Sequence, residues 1–100
     1  MKWNVLDEGK TIGELGLEGG VILFDEEYDG RICITLEKTE EYYAITCGVY
    51  GEFVHTVFAD ENDHMMKYEA MKKELAEFAE QDICRSETDA FYNEFARRYY

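Results

Sequence analysis

One hundred residues, 46% hydrophobic and 15% aromatic with no proline, suit one folded domain and argue against a disordered chain. A formal net charge of −13, from 23 acidic and 10 basic residues, argues against binding to a nucleic-acid backbone or an anionic membrane surface, since both need clustered Lys and Arg. Basic proteins, polyamines and metal cations stay open as partners.

The chain begins Met1-Lys2-Trp3-Asn4, with acidic residues soon after and no apolar leader. Trp3, Val5 and Leu6 suit a short strand or an early helical turn. Glycines at 9, 13, 16, 19 and 20 then break regular structure, so residues 1–20 read as a largely irregular segment. Ile12, Leu15 and Leu17 are expected to touch the core. Gly13-Glu14-Leu15-Gly16 lacks a following Lys-Ser/Thr and is no phosphate loop.

Val21–Phe24 is an apolar run and reads as a strand. Placing Phe24 opposite Ile34 and Ile22 opposite Leu36 implies a loop at Tyr28-Asp29-Gly30, with Gly30 left-handed. Ile32, Ile34 and Leu36 alternate with polar neighbours, and so do Tyr43, Ile45, Cys47 and Val49. Pairing Glu37 with Tyr42 puts Ile34 opposite Ile45 and gathers the large apolar groups on one face. The run Phe53–Ala59 has two registers. A two-residue loop sends Val54, Thr56 and Phe58 to the core face. A three-residue loop through Tyr50-Gly51-Glu52 sends Phe53, His55 and Val57 there.

At Asp60 the period becomes helical. Tyr68, Met71, Leu75, Phe78 and Ala79 share a stripe, predicting a helix over about 61–80 with Asp60 as N-cap. Ser86-Glu87-Thr88-Asp89 resembles a capping box and opens a second helix, with Phe91, Phe95 and Tyr99 as its stripe. The expectation is a single α+β domain over 1–100. A four-stranded antiparallel β-meander is followed by two C-terminal helices packed on one face of the sheet.

No constellation of reactive side chains stands out. Asp25-x-Glu27-x-Asp29-Gly30 matches half of a calcium loop, but Leu36 stands where a bidentate Glu is needed. Asp60, Asp63 and His64 read as helix-start residues. Cys47 faces His55 in one register, but beneath the helices, where a substrate has no access. No catalytic residue, metal ligand or cofactor is expected. The cysteines, Cys33, Cys47 and Cys84, read as free thiols of a cytoplasmic protein.

The far face of the sheet is expected to carry few charges and to exceed what two helices cover. Candidate interface residues in the two-residue register are Tyr50, Phe53, His55 and Val57. The expected function is non-enzymatic protein binding, with a homodimer as one form. An inhibitor- or immunity-type protein, or a nucleic-acid mimic, that captures a basic partner is the alternative. An enzyme with an unrecognised site is the remaining class.

Overall fold

Alternating apolar residues build adjacent strands, and the turns between them decide which residues meet. The computed structural model describes residues 3–81 and 84–100; Met1 and Lys2, at the head of the expected irregular segment, lie outside the described residues. The strands are β1 (Trp3–Val5), β2 (Val21–Tyr28), β3 (Ile32–Lys38), β4 (Tyr43–Val49) and β5 (Phe53–Ala59). They are followed by α1 (His64–Ala79) and α2 (Arg85–Arg98). The sheet is antiparallel throughout, in the order β1-β2-β3-β4-β5, so the class is α+β. It has five strands where four were expected, because Trp3–Val5 adds an edge strand to β2.

Two pairings differ from the expected register by two residues. In β3–β4, Leu36 pairs with Ile45 and Ile34 with Cys47, rather than Ile34 with Ile45. Thr39 causes this. Its amide donates to the Tyr42 carbonyl at 2.9 Å, and its hydroxyl accepts the Tyr42 amide at 3.0 Å, so the turn closes around Glu40-Glu41. In β2–β3 the loop is Asp29-Gly30-Arg31, with Asp29 and Gly30 both at positive φ. Phe24 therefore pairs with Leu36, not Ile34. A displacement of two leaves every side chain on its own face.

Ile22 is a further correction. A bulge at Leu23 lets Phe24 stay on the helix side, with its ring 5.6 Å from Tyr68. Ile22 then pairs with Glu37 and turns to the opposite face.

The β4–β5 turn takes the three-residue form. Gly51 has φ +78°, the Glu52 amide donates to the Val49 carbonyl at 2.9 Å, and Cys47 pairs with His55. Phe53, His55 and Val57 thus face the helices. The core beneath them joins Ile32, Ile34, Leu36, Ile45 and Val57 of the sheet to Met71 and Leu75 of α1, all fully buried. Tyr92 and Phe95 close it from α2.

Both helices begin at other residues than expected. Asp60 does not cap α1; its Oδ1 accepts the Asn62 and Asp63 amides at 2.8 and 3.0 Å, building a turn in front of it. Asp63 takes the N-cap position, and the imidazole of the next residue, His64, stacks on Tyr43 at 3.7 Å. For α2 the cap position falls to Cys84, in extended backbone, so Ser86 lies inside the first turn.

Tyrosine hydroxyls fasten the layers together. Tyr28 donates to Glu80, Tyr68 to Glu26, Tyr43 to Glu61 and Tyr92 to Glu52, at 2.6–3.1 Å. Tyr99 donates to Glu74 between the helices. The carboxylate beside Tyr28 holds its phenol up at about 12, while burial, helped by Glu52, holds Tyr92 at about 12. Burial pushes Tyr68 higher still. The bond from Tyr43 keeps the Glu61 carboxyl below its ordinary value.

Raised phenols stabilise the fold fully below their unfolded value near pH 10, and that contribution is lost as pH rises through the folded values. Glu61 acts at the other end, contributing above about pH 4.5 and losing its effect as pH falls through its lowered value. Melting temperature should therefore stay level from about pH 6 to 9 and fall steeply over about pH 10–12. Tyr92→Phe, with one fewer phenol to ionise, should show the shallower alkaline fall in a thermal-melt series. Ile45→Ala should cost about 2–5 kcal/mol in urea unfolding, because its side chain is enclosed by sheet and helix.

Candidate functional site

With α1 and α2 on one side, the opposite face of the sheet is where a partner has access. That face is divided. Over β2 and β3 it is covered by the segment that follows β1. A 3₁₀ turn at Leu6–Gly9, with Asp7 and Glu8 at φ 52° and 58°, turns the chain away from the sheet edge. Residues 13–15 then run beside the start of β2, with Leu15 bridging Val21, and residues 16–20 fold over Glu37 on the far face.

Glu37 anchors this segment. Its side chain points away from the helices and is only 1% exposed. Oε1 accepts the amides of Gly20 at 3.0 Å and Glu18 at 3.1 Å. A Cβ on Gly16 would lie 2.4 Å from the Glu37 carboxyl carbon, so any larger residue there would have to displace the carboxylate. The Gly13 amide donates to the Ile22 carbonyl and the Ile22 amide to the Glu14 carbonyl, both at 2.9 Å, tying the segment to β2.

Under the segment is a recess of about 350 Å³ that Thr11, Glu14, Asp25, Thr35, Glu37 and Thr46 help line. Asp25 accepts the Thr35 hydroxyl at 2.9 Å. Thr11 Oγ1 is the one buried side-chain polar atom without a partner among the described residues. No three His, Cys, Asp or Glu side chains among the described residues converge as a metal site requires. Asp25 and Glu27 belong to strand β2, not a loop, and Asp29 is in the turn after it. Glu27 accepts the Tyr50 hydroxyl at 2.6 Å.

Cys47 and His55 do sit opposite each other, under the helix layer. Burial pushes the Cys47 thiol up to about 12, so it stays protonated at neutral pH and is a poor nucleophile. Cys33, on the other face, is also raised by burial.

On the β4–β5 half of the far face, Ala44 and Gly48 of β4 are buried and the open part is the row of β5. Residues 42–59 contain a single charged side chain, Glu52, in a chain that is 33% charged. Alternation sends Ala44, Thr46 and Gly48 from β4, and Val54, Thr56 and Phe58 from β5, to this face. The Thr46 and Thr56 hydroxyls meet at 3.2 Å, and Tyr42 sets its ring edge-on to Phe58 at 5.3 Å. Val54 is 75% exposed and Phe58 51%. Beside this low strip the covering segment stands higher, with Leu15 73% and Leu17 84% exposed. A trough of about 830 Å³, lined in part by Glu18, Val21, Leu23 and Tyr42, separates it from the β3–β4 turn.

The four candidate interface residues are split by the fold. Tyr50 is exposed on the far face, bonded to Glu27. Phe53 stacks on Tyr92 at 4.6 Å, His55 meets the Tyr99 carbonyl, and Val57 is fully buried. The three-residue turn is the reason, because it exchanges the faces of β5. Val54 and Phe58, the outward residues of that register, take their place. Ile12, Leu15 and Leu17, expected to touch the core, are exposed, because the segment packs on the sheet through its backbone at Gly16, Glu18 and Gly20 against Glu37.

No protein-family model, curated protein or solved structure matches the chain. Among the described residues, no helix is long and apolar enough to cross a membrane.

Glu37→Ala should free the covering segment. The amides of Glu18 and Gly20 lose their acceptor, at a cost of about 1–3 kcal/mol. Hydrogen exchange should speed up at those two amides while the Ile34 and Ile45 amides stay protected.

Proposed function

We propose that the protein is a non-enzymatic binding module that docks another protein on the uncharged β4–β5 half of its sheet. One observation carries this reading. Tyr42, Tyr50, Val54 and Phe58 are exposed on a strip without a charged side chain, in a chain where a third of residues are charged. Apolar surface of that kind, rimmed by polar groups, is characteristic of protein interfaces, and aromatic residues dominate their energetics. The three cysteines are free, which fits a reducing compartment such as the cytoplasm.

A second reading keeps the same strip but specifies a basic partner, as an inhibitor- or immunity-type protein would have. The net charge of −13 favours it, because a long-range field of one sign speeds encounter with the opposite sign. An enzymatic reading has less support: Cys47 is fully buried and its thiol is held protonated.

Phe58→Glu tests the module. The side chain is half exposed, so the variant should keep the wild-type circular dichroism spectrum and melt within about 2 °C of it, as exposed substitutions do. It should lose at least tenfold of the wild-type capture of protein from native extract. Equal capture by the two forms would overturn the proposal. Binding that weakens steeply as salt rises would assign the partner to the basic class.

A further inference from the structure

Resting on that reading of the strip, we infer that its partner is a second copy of the chain, docked face to face about a two-fold axis. The far face has two levels. The high level is the 13–20 segment over β2–β3, topped by Leu15 and Leu17. The low level is the β4–β5 strip with Tyr42, Val54, Thr56 and Phe58. Both tops are apolar, and each is the relief that the other lacks.

One axis direction matches them. A two-fold parallel to the strands, above the boundary of β3 and β4, carries β3 onto β4 and β2 onto β5 of the other copy. The raised segment of each copy then lands on the low strip of its partner, twice, as an isologous contact requires. An axis across the strands would instead set high level on high level. Rotation about the chosen axis preserves position along the strands. The Leu15–Val21 bridge and the packing of Gly16, Glu18 and Gly20 on Glu37 place Leu15 and Leu17 near the row Ile22–Glu37–Ala44–Phe58. In the partner they therefore meet the Phe58 end of the strip.

Charge agrees with this location. Two chains of −13 repel, so a stable contact between copies has to avoid carboxylates. Leu15, Leu17, Tyr42, Val54, Thr56 and Phe58 supply none, while the exposed Glu14 and Glu18 flank the two leucines and Glu40 and Glu41 lie in the β3–β4 turn. The four strands that overlap, β2–β5, about 4.8 Å apart and about 24 Å long, present roughly 19 Å by 24 Å before side-chain relief, more than half of the ~800 Å² per partner of a standard interface.

The repelling carboxylates separate this partner from a basic one. Salt should strengthen the association of two acidic copies and weaken capture of a cation-rich protein. Sedimentation equilibrium of the wild-type chain over about 1–100 μM should show a monomer–dimer equilibrium, at least threefold tighter in 500 mM than in 50 mM NaCl. Leu17→Lys and Phe58→Asp should each be monomeric and folded. Mixed together they should form a heterodimer, because one contact then pairs Lys with Asp while the other stays wild type.

A wild-type chain that stays monomeric to 100 μM at both salts would overturn the inference. So would a dimer that survives either substitution, or one that salt dissociates. A monomer that still captures a different protein through Phe58 would overturn the self-association while leaving the binding strip in place. Phe58-independent behaviour in both assays would overturn both.

Discussion

Two helices of 16 and 14 residues cover one face of a five-stranded sheet, and the sheet has two. At 1.5 Å per residue they run about 24 and 21 Å, the length of the longer strands, and side by side they are about 20 Å wide. That is one layer and no more. The helix face is accordingly closed by Tyr68, Met71, Leu75 and Phe78 from α1 and by Tyr92 and Phe95 from α2. Whatever apolar surface the strands present on the other side has to be met by something else, and the chain meets part of it with residues 13–20.

The acidic composition has a structural share in this arrangement. A tyrosine at the border of a small core buries its ring but must place its hydroxyl. Here the acceptor is repeatedly a glutamate on the facing element: Glu26 for Tyr68, Glu80 for Tyr28, Glu52 for Tyr92. Lys72 adds to one of these contacts, 2.9 Å from Glu26 and over the Trp3 ring, so β1, β2 and α1 are joined at one point. Part of the negative charge is thus committed to layer packing before any role in encounter or solubility is considered.

Much of the architecture was legible because its signals are periodic. The apolar sets of β3 and β4 were assigned to the right face even though both pairings slid by two residues; an even slip is invisible to alternation. The turn chemistry of Thr39 decided the slip, and a side-chain hydroxyl bonding to two nearby amides has no periodic trace. The face of Ile22 was misread for a similar reason, since a bulge breaks the period at the residue that carries it. For β5 the pattern offered both faces, and only the geometry at Gly51 decides between them. That geometry turns Val54, Thr56 and Phe58, rather than Phe53, His55 and Val57, to the far face.

The covering segment was the least legible part, and Glu37 explains why. It stands in an alternating strand where an outward polar residue looks solvated, so nothing in the local pattern marks it as an anchor. Its carboxylate instead gathers the amides of residues 18 and 20, and Gly16 leaves room for it. The link has a cost elsewhere: Asp7 and Glu8 hold left-handed backbone, at roughly 1–2 kcal/mol per residue for side chains other than glycine. That strain turns the chain from the β1 edge onto the far face. The same carboxylate therefore does two things. It protects the β2–β3 half of the sheet, and by holding residues 16–20 over β3 it sets the relief beside the exposed row of β5. The shape of the far face is set by one buried acid on β3, at a distance in sequence from the exposed apolar residues of β5.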